Sequence, residues 1–223
     1  MTNPLTLRSI SAAVGDLGWR YVLGTLRASV PVGSVRQAAE VAARCVTVAG
    51  DDADGHLWLD LRHDHVVLTL QTLGAAAVTG RDVELAVRLT GSLRELDLDP
   101  APAGTQLLEL AIDALDIAAI RPFWKAIFAY EDEAGWTGGT QAPIVDPLRL
   151  GPAVWFQQMD VPRPQRNRIH FDISVPHDQA QARVDAALAA GGVMVSADRA
   201  PMFWILADAE GNEACITTWQ GRD

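Results

Sequence analysis

Apolar positions along this chain follow two rhythms, one of period two and one near 3.6, and the switches between them mark its elements. Leu5 to about Ala13 suits a short helix. Trp19 to Val30 alternates as a pair of strands around a Leu23-Gly24 turn. Val35, Ala38, Val41, Ala42 and Cys45 fall at helical spacing and predict an amphipathic helix over 35–48. Leu57–Arg62 and His65–Thr72 alternate as two further strands. Thr79-Gly-Arg-Asp82 then opens a helix to about Arg94, with Thr79 as N-cap and Asp82 at the third helical position. This order, α-β-β-α-β-β-α, predicts an antiparallel sheet with helices packed on one face.

Both rhythms stop at Glu95-Leu-Asp-Leu-Asp-Pro-Ala-Pro-Ala-Gly-Thr105, where two prolines, a glycine and three acids predict a linker. The expected domains are therefore residues 1–98 and 106–223. Beyond the seam, Leu107–Ala114 reads as a strand and Asp116 as the cap of a helix to about Tyr130. Strands near Pro143–Pro147 and Ala153–Met159 follow. A second pass repeats the plan: strand Arg168–Val175, helix Asp178–Ala190, the pair Gly191-Gly192, then strands Val193–Ser196, Phe203–Leu206 and Glu213–Thr218. The repetition is one of element order, not of letters. The fold class expected is α+β, with paired βαβββ modules in the second half.

Composition narrows the function. A net charge of -10 gives no cationic face for phosphate, so a nucleic-acid partner is excluded. No apolar run reaches spanning length and no leader pattern opens the chain, so no membrane partner and a cytoplasmic location are expected. Cys45 and Cys215 lie in apolar runs and read as buried reduced thiols.

Asn167-Arg-Ile-His-Phe-Asp-Ile-Ser-Val175 and Leu206-Ala-Asp-Ala-Glu-Gly-Asn-Glu-Ala-Cys-Ile216 each place one metal-capable side chain among strand residues, His170 and Glu213. An imidazole and a carboxylate on adjacent strands can hold a divalent cation with a position left open. The alternative readings are a hydrogen-bonded sheet histidine and a carboxylate that caps the 209–212 turn. Trp124, Trp136, Trp155, Phe156, Phe203 and Trp204 read as core or pocket wall.

The first domain resembles the pterin-4a-carbinolamine dehydratases over residues 5–96. The resemblance rests on the Trp19-initiated strand, on Gly55-His-Leu-Trp-Leu-Asp-Leu-Arg62, and on Val67-Leu-Thr-Leu-Gln-Thr72 leading to Thr79-Gly-Arg-Asp82. In that family the middle segment begins His-His-Pro and the strand ends Thr-His, and those histidines dehydrate a hydroxylated tetrahydropterin. Here Gly55-His56-Leu57 and Thr72-Leu73 stand in their places, so His56 alone survives as the acid/base candidate. His63 and His65 read as surface residues. The resemblance implies a dehydratase-like scaffold with little remaining catalysis, serving ligand binding or subunit association.

From about Leu107 the chain resembles the glyoxalase/bleomycin-resistance/extradiol-dioxygenase superfamily, the vicinal oxygen chelate fold, and within it the glyoxalase-like subgroup. The two segments above carry this, with Asp113-Ala-Leu-Asp-Ile-Ala-Ala-Ile-Arg-Pro-Phe-Trp124 and Ala153-Val-Trp-Phe-Gln-Gln158. The resemblance implies a cupped sheet and, position by position, the metal ligands Glu109, Gln157, His170 and Glu213, with Gln158 competing for the place of Gln157. The first-strand ligand of the family is most often His, so Glu109 departs from it. The cation expected of such a set is Zn²⁺, Mn²⁺, Mg²⁺ or Fe²⁺. Two functions follow. One is an enzyme in which the cation stabilises a developing enolate or alkoxide while a carboxylate, Glu213 or Glu109, carries the proton, as in lyase or isomerase chemistry. The other is metal-free binding of an aromatic or antibiotic-like molecule. A small-molecule partner and a homodimer are expected in either case.

Overall fold

The computed structural model describes residues 5–101, 107–136, 139, 142–162, 171–218 and 220–221. The chain divides into two compact units, Met1–Leu107 with Ala134–Trp136, and Leu108–Glu133 with Thr137–Asp223.

In the first unit, helix α1 (Leu7–Val14) starts where the Thr6 hydroxyl accepts the Ser9 amide, and it buries Ile10 and Val14. Strands β1 (Arg20–Val22) and β2 (Thr25–Pro31) form a hairpin with Val22 opposite Thr25. Its two-residue turn puts both Leu23 and Gly24 at positive φ, the geometry that matches strand twist. Helix α2 (Val35–Ala49) buries Ala38, Val41, Cys45 and Ala49. Val35, expected on that stripe, is exposed: it is the first helical residue, one turn short of the sheet-facing row. A short helix α3 (Ala53–His56) leads into β3 (Leu57–Leu61), followed by β4 (His65–Leu70) and helix α4 (Gly80–Arg94).

The strands form one antiparallel sheet in the order β1-β2-β4-β3. Leu26, Ala28 and Val30 of β2 stand opposite Leu70, Leu68 and Val66 of β4, and these alternate residues are buried. They meet Leu85, Leu89 and Leu93 of α4 and Ala38, Val41 and Cys45 of α2 in one core. Trp19 completes it, fully buried, with its indole N–H donating to the Thr90 hydroxyl at 2.9 Å.

The second unit repeats one plan twice. Strand β5 (Glu109–Ala114), helix α5 (Ile117–Phe128), and strands β6 (Glu131–Asp132), β7 (Ile144–Val145) and β8 (Ala153–Gln158) make a sheet ordered β5-β8-β7-β6. Strand β9 (Phe171–Ser174), helix α6 (Ala180–Ala189), and strands β10 (Val193–Ser196), β11 (Phe203–Ala207) and β12 (Glu213–Thr217) make the sheet β9-β12-β11-β10. In both, the first strand pairs parallel with the last. Asp116 caps α5 through the Ala119 amide. One core unites the modules: Ile112, Phe156, Leu206 and Ile216 from the strands, Phe123, Trp124 and Val184 from the helices. Among the described residues no helix is long and apolar enough to cross a membrane.

Candidate functional site

Two places gather chemistry-bearing side chains. The first lies where α3, the end of β4 and the start of α4 converge. His56 is the last residue of α3, and its Nδ1 lies 2.8 Å from Oδ1 of Asp82. The Asp82 side chain is 0% exposed, that of His56 17%. The other Asp82 oxygen accepts the Thr79 amide at 2.7 Å and the Thr72 hydroxyl at 2.8 Å. A buried carboxylate survives only with such partners, and the capping role expected of Asp82 accounts for one of them. Sequence reading missed the rest: Asp82 and Thr72 surround His56. Their signal was the Thr79-Gly-Arg-Asp82 cap itself, because a residue one turn into a helix faces whatever precedes that helix.

His63 and His65 do not join this cluster. Their side chains are 83% and 38% exposed, and both approach Asp64 instead.

The second place is the strand face of the second unit turned away from its helices. Leu110, Ile112 and Ala114 of β5 pack into the core, so Glu109, Ala111 and Asp113 point the other way. On β8 the matching residues are Ala153, Trp155 and Gln157, in register with those three in that order. Gln157 therefore stands beside Asp113, and Glu109 beside Ala153. Glu109 and Gln157 are four residues apart along paired strands, about 13 Å at the usual rise. Ligands of one cation lie about 2.0–2.6 Å from it, and the register brings Asp113, not Glu109, beside Gln157.

The parallel register thus separates two members of the expected four-residue set along the strands. Aligned motifs say which strand a residue occupies, not how far along it the partner sits. Gln158 is no substitute: it falls on the other parity, and its amide donates to the carbonyls of Leu115 and Met159. His170 lies outside the described residues. Among the described residues, no three His, Cys, Asp or Glu side chains are grouped so as to hold a metal ion.

Glu213 heads β12, where Ala214 and Ile216 are core and Glu213, Cys215 and Thr217 face away from it. Cys215 is in register with Asp172 of β9, and Thr217 with Ser174, the two hydroxyls lying 2.9 Å apart. Burial, and then the carboxylates of Asp172 and Glu213, push the Cys215 thiol up to about 11. Burial alone does the same for Cys45. At pH 8 about one thiol in a thousand is then ionised, so neither is a ready nucleophile. Ellman's reagent should titrate both only after denaturation; rapid stoichiometric reaction with the native protein would contradict this burial.

Asp208 caps the turn that precedes Glu213. Asp208 is 2% exposed and accepts the amides of Glu210 and Asn212, both at 2.9 Å, and the Trp124 indole N–H at 2.9 Å. Glu210 accepts the amides of Leu115 and Asp116 at 2.9 and 2.7 Å, where α5 begins. The most distinctive motif of the chain thus ties one module to the other. Trp124 is core; Trp136 is 52% exposed.

Residues 109–217 match a family model described as a glyoxalase-like domain. No curated protein matches the chain. Among solved structures, a glyoxalase/bleomycin resistance protein from Albidiferax ferrireducens T118 is similar at 14% identity and TM-score 0.40, over 51% of this chain and 98% of its own. A glyoxalase/bleomycin resistance protein/dioxygenase family enzyme from Burkholderia phytofirmans PsJN stands at 15%, 0.39, 51% and 98%. A transcriptional coactivator/pterin dehydratase from Brucella melitensis is 24% identical at TM-score 0.36, over 40% of this chain and 98% of its own. With its two βαβββ modules, each closed by a parallel pairing of first and last strand, the segment 109–217 is a glyoxalase-like domain.

Proposed function

We propose that the second unit binds a small, flat organic molecule on the strand face bearing Asp113, Trp155 and Gln157, without recruiting a cation. The observation that carries this reading is the register of β5 and β8, which puts an aromatic ring, an amide and a carboxylate side by side on one face and sets Glu109 four residues along it from Gln157. Aromatic surface supplies affinity and a few polar groups fix orientation. The test is a screen of flat aromatic fragments by calorimetry with EDTA present. Affinity should be indifferent to the chelator, and Trp155→Ala should weaken it about tenfold or more, the scale of a lost stacking contact. Affinity that vanishes with EDTA and returns with Mn²⁺ or Zn²⁺ would restore the metal-dependent lyase or isomerase reading, with Glu213 as proton carrier.

A second reading concerns the first unit, and the His56–Asp82 pair favours it: residual dehydration of a 4a-hydroxytetrahydropterin. Dehydration requires one group to remove a proton and another to protonate the departing hydroxyl, each contributing roughly 10²–10⁴ in rate. Gly55 and Leu73 can do neither, so a direct assay should give at most weak acceleration over the uncatalysed reaction. Turnover like that of a three-histidine enzyme would overturn this expectation.

A further inference from the structure

We infer that the first unit locks His56 in one tautomer, with the proton on Nδ1, and so presents Nε2 as a fixed hydrogen-bond acceptor for an N–H or O–H group of a small ligand. The inference rests on the geometry of the first unit alone. It stands whether or not the second unit binds a ligand and whether or not any dehydration survives.

Asp82 anchors the ring. Its Oδ2 receives three donors: the Thr79 amide at 2.7 Å, the Thr72 hydroxyl at 2.8 Å and the Thr79 hydroxyl at 3.0 Å. Its Oδ1 faces Nδ1 of His56 at 2.8 Å. A carboxylate accepts all of these and donates none, so Nδ1 is the donor of that pair. Thr72 Oγ1 lies 2.8 Å from the same carboxylate and 3.3 Å from Nδ1, and a hydroxyl that donates to Asp82 offers Nδ1 only lone pairs. A bare Nδ1 would then face acceptors on both sides. A neutral imidazole protonated at Nδ1 carries its lone pair at Nε2.

The main chain that carries the ring is fixed as well, because the His56 carbonyl accepts the Gln71 amide at 3.0 Å. Nε2 has no hydrogen-bond partner among the described residues, and none of their buried side-chain nitrogens or oxygens is left unpaired. Nε2 therefore reaches solvent, consistent with the 17% exposure of the side chain. Asp82 is the positioning residue; the ligand-facing atom is Nε2. His63 and His65 have only the exposed Asp64 beside them and no buried carboxylate to fix them.

The test uses the full chain with ¹⁵N-labelled histidine and long-range ¹H–¹⁵N correlation, at a pH where the ¹⁵N shifts report neutral rings. Comparison with His56→Gln assigns the His56 signals. They should show a pyrrole-type Nδ1 and a pyridine-type Nε2. A pyrrole-type Nε2, or shifts averaged between the two forms, would overturn the inference without any further variant.

In Asp82→Asn the side-chain carbonyl must serve the Thr79 amide, which turns the Asn N–H₂ towards His56 and should move the ring to the Nε2–H form. A ring that stays Nδ1–H would count against Asp82 as the lock. Should that variant fail to fold, Thr72→Val keeps the helix cap and should retain the Nδ1–H tautomer; its loss would be equally damaging. Phenol, a flat O–H donor, should shift the Nε2 resonance of the native protein more than it shifts those of exposed His63. Anisole, which lacks the donor, should not, and an equal response to both would refute the acceptor role.

Discussion

Asp208→Ala is expected to destabilise the second unit by about 3–4 kcal/mol, more than loss of a typical surface carboxylate. A hydrogen bond to a charged group contributes about 1.5–3 kcal/mol, and a buried donor left unpaired costs about 1–3. Alanine here orphans the indole N–H of Trp124, which is 1% exposed, and frees the Glu210 and Asn212 amides that shape the turn. The damage should spread, because that turn also aims the Glu210 carboxylate at the first amides of α5. Glu210→Ala removes only this cap and should cost about 1 kcal/mol, as caps usually do. Urea unfolding of the two variants, followed by tryptophan fluorescence, checks the ordering. A loss under 1 kcal/mol for Asp208→Ala would mean that the two modules do not depend on this tie.

The same residues show what was legible in the sequence. Periodicity placed the longer helices and most strands because each buries one face, and burial is what the pattern records; the four-residue α3 left no such pattern. The hairpin at Leu23-Gly24, the Asp116 cap and the two-module order all come from local chemistry of this kind. The two-residue strand β6 left no signal, since alternation needs more than one repeat. The candidate site was less legible, for two physical reasons. Register between distant parallel strands is set by the packing of whole modules, so Asp113 could not be chosen over Glu109 as the neighbour of Gln157. Buried polar pairings also join residues far apart in sequence: Asp82 lies 26 residues from His56, and Asp208 lies 84 from Trp124. A motif rich in acids suggests ligands; here its two most committed carboxylates hold backbone amides.

The glycine pair that ends α6 separates two physical reasons for the same letter. Gly191 has φ +95°, a left-handed C-terminal position, and a Cβ there would meet nothing within 4 Å. Gly191→Ala should therefore cost only the backbone strain, about 1 kcal/mol. Gly192 carries no such strain, but a Cβ on it would lie 2.4 Å from Cδ2 of Phe123 and 2.8 Å from the Ala187 carbonyl oxygen. Phe123 cannot move aside easily. It is fully buried and stands edge-on to Trp124, ring centres 5.3 Å apart. Gly192→Ala should thus cost about 2–3 kcal/mol, the range for overpacking a filled core, and should disturb the Trp124 environment, which Gly191→Ala should not. Near-ultraviolet circular dichroism with urea titration distinguishes the two. Equal losses, or a larger one at Gly191, would show that the Phe123 ring yields and that backbone conformation alone explains both glycines.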